Sequence, residues 1–451
     1  MSEEKWYVRT GSTLLALLCL LSAAIWNGYP IVYSDTSSYL ASGFYLETLV
    51  DRPITYGLFI RVCSFNGWSL WTVVIAQSML LAYVIGLLLR SFGIRSSWSR
   101  SLIIGSTALV TGLSFVSGQI ITDVFTPILA IALFLLLFIE GLPKRSRVLL
   151  FGIFLLSFAM HMSHVSITVL LLLLALVLNR VMQRTWPNLK GWYTVAILLL
   201  LSVGGTLVMG VSLAKSKYTF YAAHMAEIGV LQKYLEEHCA TERYQLCERL
   251  GSIPRSADLF LWAEDSPLKV YQSRKEMEVE LGRIVTGSLK EPALLWMQIT
   301  SAFKATGKQL THFAVGDGNG SFGEGTLLHE RIALFIPSEV DAFDNTRQMG
   351  GEQFRGPVLL INWFHSIAMI LSLFALGAFW LFFRLPGRSN PYFTSATIFL
   401  ISTMIINAGI NASLVMVADR FGTKLAWLLP FLAITSFALI MINRAKTPRS
   451  T

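Results

Sequence analysis

Five acids in this chain stand beside or between apolar runs. Asp35 lies in "YSDTSSYL", Glu47 and Asp51 in "LETLVDRPITY", Asp123 in "GQIITDVFTPIL" and Asp419 in "DRFGTKLAWLLPFL". Four bases accompany them: Arg52, Arg61, Arg420 and Lys424. Ionisable groups at a membrane boundary are costly and usually functional. Carboxylates and cations gathered there are equipped for proton transfer and for holding an anion. A plainer reading, that helix ends simply carry charge, suits Glu47 and Asp51. It suits Asp123 less, because only a few residues separate the apolar runs on either side of it. Arg420 and Lys424 also fit interfacial anchors whose stems snorkel along apolar surface.

The remaining reactive side chains say less. His161 and His164, in "HMSH", share a helical face. They suit a metal or phosphate contact, or helix-end histidines bonded to backbone or water. Joined by Asp35 and Asp123, they would make a divalent-metal set. His312, His329 and His365 have no ligand spacing. "GDGNG" (316–320) lacks the repeat logic of a calcium or phosphate loop and reads as a flexible connection. Trp262 suits stacking on a sugar as well as ordinary burial. Cys239 and Cys247, in "CATERYQLC", read as a disulfide closing a small loop on an oxidising side. Two free thiols are the other reading.

These residues need a membrane to position them. The chain has 451 residues, of which 54% are hydrophobic and only 14% charged, and its mean hydropathy is +0.59. Soluble domains carry about a quarter charged residues, so an all-α integral membrane protein is expected. Runs able to cross a ~30 Å hydrocarbon core lie near 11–31, 69–89, 102–119, 122–140, 147–160, 164–180, 192–213, 357–383, 393–415 and 424–442. Whether 147–180 makes one span or two is open. With ten spans and both termini cytoplasmic, every basic cluster falls on the cytoplasmic side, as the positive-inside rule asks. The first run reads as an uncleaved span rather than a signal peptide.

Three parts follow: a seven-span module (1–214) with an outer loop at 32–68, a mainly helical extracytoplasmic domain (215–356) inserted between spans seven and eight, and three spans with a tail (357–451). The domain holds 16 Lys/Arg and 19 Asp/Glu, while the rest of the chain holds 20 and 8. The net charge of +9 is therefore mostly topological and asks for no nucleic-acid partner.

In order, Asp35 after the first span, "RP" at Arg52–Pro53 and Asp123 before the fourth span resemble the GT-C membrane glycosyltransferases. Protein O-mannosyltransferases and the lipid A aminoarabinose transferases belong to that class. "DRFGTKLAWLLPFL" is similar to the segment before the last span of many bacterial members. The extracytoplasmic segments "YLEEHCATERYQLCERLGSIP" and "ADLFLWAEDSPL" resemble a family of bacterial membrane proteins. An inserted domain departs from the commoner GT-C arrangement, in which the soluble domain is C-terminal.

The resemblance implies transfer of a sugar from a polyprenyl-phosphate carrier to an envelope glycan, lipid or protein on the periplasmic side of a bacterial inner membrane. It makes Asp35 the catalytic base; set between Ser/Thr hydroxyls and the membrane edge, that carboxylate is expected to have a pKa raised by partial desolvation. It assigns Asp123, Tyr39 and Arg52 to the acceptor or donor head, and Arg52, Arg420 and Lys424 to phosphate. Some relatives use a divalent metal. Two other classes compete: a lipid or polysaccharide transporter or flippase, which predicts mid-span acids and related halves, and a non-enzymatic envelope assembly partner, which would leave Asp35 and Asp123 apart.

Overall fold

The computed structural model describes residues 4–49, 52–181, 216–383 and 390–446, with positions 197, 198, 200 and 204. Asp51 and nearly all of the expected span 192–213 lie outside the described residues. Within them the chain is helical, without a strand. Numbered in chain order, the first module holds α1 (Trp6–Leu20), α2 (Ser22–Asn27), α3 (Thr36–Tyr45), α4 (Thr55–Cys63), α5 (Trp71–Ser91), α6 (Ser97–Val110), α7 (Leu113–Gly118), α8 (Phe125–Phe138), α9 (Lys144–Met160) and α10 (Ser163–Val181). The middle of the chain holds α11 (Lys217–Glu227), α12 (Val230–Glu242), α13 (Ala257–Trp262), α14 (Arg274–Ser288), α15 (Pro292–Gln309), α16 (Leu327–Phe335) and α17 (Val340–Asp344). The last part holds α18 (Glu352–Phe383), α19 (Pro391–Leu414), α20 (Asp419–Ala426) and α21 (Leu428–Lys446).

Four segments are long and apolar enough to cross a membrane: Trp71–Ser91, Glu352–Leu381, Pro391–Leu414 and Asp419–Arg444. Trp6–Leu20, Thr122–Phe138 and Ser163–Val177 are apolar but shorter. The chain is thus an all-α membrane protein, while several runs expected as single spans are broken. The first is interrupted at Leu21, between α1 and α2. The third breaks at Thr111, which is extended between α6 and α7. Its hydroxyl donates to the Thr107 carbonyl at 2.6 Å and accepts from the Leu113 amide at 3.2 Å, offering the backbone partners outside the helical ladder. Residues 147–180 form two helices, α9 and α10, separated at the extended His161.

The breaks place the loops that carry the charged residues. α8 is buried along its whole length and forms the centre of the bundle, with Asp123 in the 3₁₀ turn (Thr122–Val124) at its start. A single parallel bridge joins Ile31 to Gln119, with Ile31 N–H donating to Gly118 O at 3.0 Å and Ile120 N–H to Ile31 O at 2.8 Å. Gln77 of α5, fully buried, donates to Ser117 O and Gln119 O at 2.9 and 2.8 Å. It thereby satisfies carbonyls at the end of α7 that the helix leaves open. α3 and α4 pack back to back through Gly43 and Gly57; a Cβ on Gly43 would stand 2.1 Å from Gly57 O.

The expected extracytoplasmic domain divides in two. Ala222–Leu294 build a core of their own around Leu231, Phe260, Leu281 and Ile284, and here Cys239 and Cys247 are joined in a disulfide with Cα atoms 5.7 Å apart. Leu328, Ile332, Ile336 and Phe343 instead belong to the core that the first module shares with the last helices. Glu339 fastens this second part. It accepts from Tyr29 OH at 2.6 Å, Ser69 Oγ at 2.5 Å and Leu70 N–H at 3.0 Å. Gln348 adds bonds in both directions to the Val32 backbone.

Hydrogen bonds to a charged group carry about 1.5–3 kcal/mol each, and donors left unsatisfied cost about 1–3 kcal/mol. Glu339 is only half-buried, so water replaces part of what is lost, and Glu339→Ala should destabilise the detergent-solubilised protein by about 2–3 kcal/mol, read as a lowered unfolding midpoint, with Glu339→Gln milder.

Candidate functional site

Three segments far apart in sequence meet at one end of the bundle. The first is the loop entering α3. Thr36 Oγ1 donates to Ile120 O at 2.8 Å, which ties Asp35 to the turn that carries Asp123. The second is that turn. The third is the first turn of α20, which brings Arg420, with Lys424 one turn further on.

Arg420 joins the two acids. Its Nη1 lies 2.9 Å from Asp35 Oδ2 and its Nε 2.9 Å from Asp123 Oδ2. Arg52 Nη1 takes the other Asp35 oxygen at 3.0 Å, and Lys424 Nζ stands 3.9 Å from Asp123 Oδ1. The side chains of Asp123 and Lys424 are only 7% and 2% exposed, so these charges interact more strongly than surface pairs do. The Arg420 guanidinium lies over the Tyr33 ring at 4.5 Å and that of Arg52 over Tyr39 at 5.2 Å, contacts that hold a planar cation face-on.

A narrow cleft opens beside this network, its empty space about 340 Å³ with the solvent-open mouth included. Asp123, Arg420 and Lys424 line it with Gln119, Asp317 and Asn319. Asp35 and Arg52 are not lining residues and reach the cleft through Arg420. Asp317 Oδ2 accepts from the Arg420 backbone N–H at 3.2 Å, and Asn319 Oδ1 from Gln119 Nε2 at 2.8 Å. "GDGNG" is therefore a wall of the site rather than a loose connection. Gly318 has φ +69°, and a Cβ there would stand 2.0 Å from the Tyr33 ring. Only glycine lets the loop pass so close to the aromatic ring under Arg420. Its glycines on both sides of an acid were the one available sequence signal.

Several expected roles change. Burial pushes the Asp35 carboxyl up, but Arg420 and then Arg52 pull it down, and the net direction is below the ordinary carboxylate range. The expected rise is thus reversed, because two guanidinium groups outweigh desolvation. Tyr39 is 1% exposed and packs edge-on against Tyr56. It supports Arg52 from behind instead of lining the cleft. Arg61 donates to the Gly43 and Phe44 carbonyls and ends α3. Asp419 accepts from Ala314 N–H at 3.1 Å, fixing the loop, and Glu47 is exposed. Trp262 is 63% exposed, not buried.

The four expected metal candidates do not assemble. His164 uses both ring nitrogens, with Thr126 Oγ1 at 2.9 Å and Ser157 O at 2.6 Å. His161 Nδ1 is taken by the Ser163 hydroxyl and amide at 2.8 and 3.2 Å. Asp35 and Asp123 are already neutralised by cations. Among the described residues no group of three or more His, Cys, Asp or Glu stands ready to hold a metal ion, and this donor set does not fit one.

No protein-family model, no curated protein and no solved structure matches the chain. The site is therefore read from its own geometry.

Removing one member of a buried ion network strands the others at a cost of about 3–5 kcal/mol. Arg420→Ala should lose about that much stability in chemical unfolding, with Arg420→Lys recovering only part of it, since one ammonium cannot span both acids as a planar fork does. A carboxylate whose folded-state pKa is depressed stabilises the fold above its unfolded value and loses that contribution as the pH falls. The stability gap between the native protein and Asp35→Asn should accordingly be full above about pH 4 and narrow below it.

Proposed function

We propose that the chain is a membrane glycosyltransferase of the GT-C type, moving a sugar from a polyprenyl-phosphate carrier to an envelope glycan, lipid or protein on the periplasmic side. The observation that supports this most is the shared guanidinium: Asp35, Asp123 and Arg420 converge beside one cleft. In this reading the chain crosses a bacterial inner membrane ten times, with both termini cytoplasmic. A non-enzymatic assembly partner gives no reason for acids 88 residues apart to share one arginine. A flippase is disfavoured because the ionisable groups cluster at one end of the bundle.

The geometry suggests how such a site would work. Asp35 is locked between Arg52 and Arg420 and is a weak base in that state. A donor phosphate entering the cleft competes with both carboxylates for Arg420 and Lys424. Drawing Arg420 toward phosphate frees one oxygen of Asp35, which then accepts the proton of the acceptor hydroxyl. The acceptor oxygen forms its bond to the sugar's anomeric carbon as the carbon–oxygen bond to phosphate breaks. The released polyprenyl phosphate keeps the electron pair, its charge held by Arg420 and Lys424. The network would thus keep the base idle until the donor is seated. A second, apolar cleft of about 280 Å³ lies against Gly422, Leu425 and Ala426 of α20, with Phe313, Met369 and Met404. It suits part of a hydrocarbon tail.

Asp35→Asn should abolish transfer when compared at equal amounts of purified, folded protein; retained activity removes Asp35 as the base. Lys424→Ala should raise KM for the donor by roughly tenfold or more, the scale of one charge-assisted contact. Mass spectrometry of envelope glycans and glycolipids from cells lacking the chain should show one sugar missing and its lipid-linked precursor accumulating. An unchanged profile overturns the reading.

A further inference from the structure

We propose that α15 is an interfacial helix whose C-terminal half sits in the outer leaflet, with Trp296, Ile299, Phe303 and Leu310 touching lipid. The inference is independent of the chemistry proposed for the site. These four positions recur at helical spacing along one face of a segment that the sequence presents as part of a water-soluble domain. They are 67%, 39%, 76% and 39% exposed, so among the described residues no side chain fully covers them.

The opposite face fixes the depth of the helix. Near its start, Leu294 and Gln298 are buried, and Leu294 belongs to the core of the extracytoplasmic unit. Farther along, α15 packs against α19, and Thr306 faces Gly409 closely enough that a Cβ there would meet its hydroxyl at 3.6 Å. Gln309 holds the Ala418 backbone in both directions at 2.9 and 3.0 Å. Gln309, Leu310 and Phe313 then share a cleft with Met404, Asn407 and Ala408.

Those α19 residues lie well inside a membrane-crossing helix. At 1.5 Å per residue they are ~9–15 Å from its outer end at Leu414. The 24 residues of α19 measure ~36 Å against a hydrocarbon core of ~30 Å. Even with the entire ~6 Å excess standing outside, Met404–Ala408 remain ~3–9 Å below the hydrocarbon surface. The end of α15 descends to that level beside them. Phe303, one turn above Thr306, then falls near the boundary. Trp296 is ten residues, ~15 Å, from Thr306 along the helix, and the tilt of an interfacial helix brings it into the headgroups, where indole is favoured. Lys304 and Lys308, both exposed, can lay their stems along the helix and keep their ammonium groups among phosphates.

The test is nitroxide accessibility on the full chain in lipid nanodiscs, with Cys19 and Cys63 replaced by alanine. Labels are placed through Phe303→Cys and Leu310→Cys, with Phe374→Cys on α18 as the lipid-facing control and Glu236→Cys on α12 as the aqueous one. The expected ratio of oxygen to nickel-chelate collisions at 303 and 310 is several-fold above that at 236 and approaches that at 374, higher at 310 than at 303. A ratio at both positions equal to that at 236 overturns the proposal. So does shielding from both reagents, which would mean that protein covers the stripe. Should the labelled variants not fold, brominated-lipid quenching that is weaker in Trp296→Phe than in the native chain supports the proposal, and unchanged quenching overturns it.

Discussion

One guanidinium organises one end of this protein's helical bundle. Arg420 is 385 residues from Asp35 and 297 from Asp123, yet it satisfies both. It can do so because a guanidinium presents donors on two edges of one plane, so that Nε serves one carboxylate while Nη1 serves the other. Two acids this close and this buried repel each other unless a cation lies between them. The positions of α3, the turn before α8 and α20 are in that sense one constraint stated three times. Tyr33, Gly318 and the Asp317 loop close around the same group, and the cleft is the space left beside it.

Part of this was legible in the sequence. Outside the large loop only eight acids occur, so Asp35 and Asp123 stood out against an apolar background, as did Arg420 and Lys424. The same reasoning could not find Asp317 or Glu339, because the large loop holds 19 acids and a functional carboxylate there has no contrast. The direction of the Asp35 shift was misjudged for a related reason. Its hydroxyl neighbours are adjacent in the chain, whereas Arg420 becomes a neighbour only on folding. The all-helical membrane class followed from composition. The breaks at Leu21 and Thr111 did not, because apolar runs read as continuous when the interruption depends on a threonine hydroxyl or on a loop packed from elsewhere. The cysteine pair left two readings open by spacing alone, and the fold brings its Cα atoms to bonding distance.

The middle of the chain serves two bodies. Its first part folds around its own core, linked to the bundle by α15, while its second part returns to the first module and is pinned there by Glu339 and Gln348. The wall of the cleft, residues 314–319, is the piece of chain between them. Gln309, bonded to the Ala418 backbone at the end of α15, fixes the start of the connection that leads to Asp317 and Asn319. The site and the first part of this region are consecutive in the chain even though no core residue is common to both.

The burial of α8 has a different meaning from burial in a water-soluble protein. A helix this apolar is as comfortable among lipid tails as among its neighbours, so enclosing it brings no hydrophobic gain. What holds it is contact: Phe134 stacks on Phe138 with ring centroids 5.1 Å apart, and both lean on Phe399 of α19. Such dispersion contacts are individually small and depend steeply on fit. The centre of the bundle is therefore selected for shape rather than for greasiness. A leucine traded there for a smaller apolar residue leaves a void that neither lipid nor water fills.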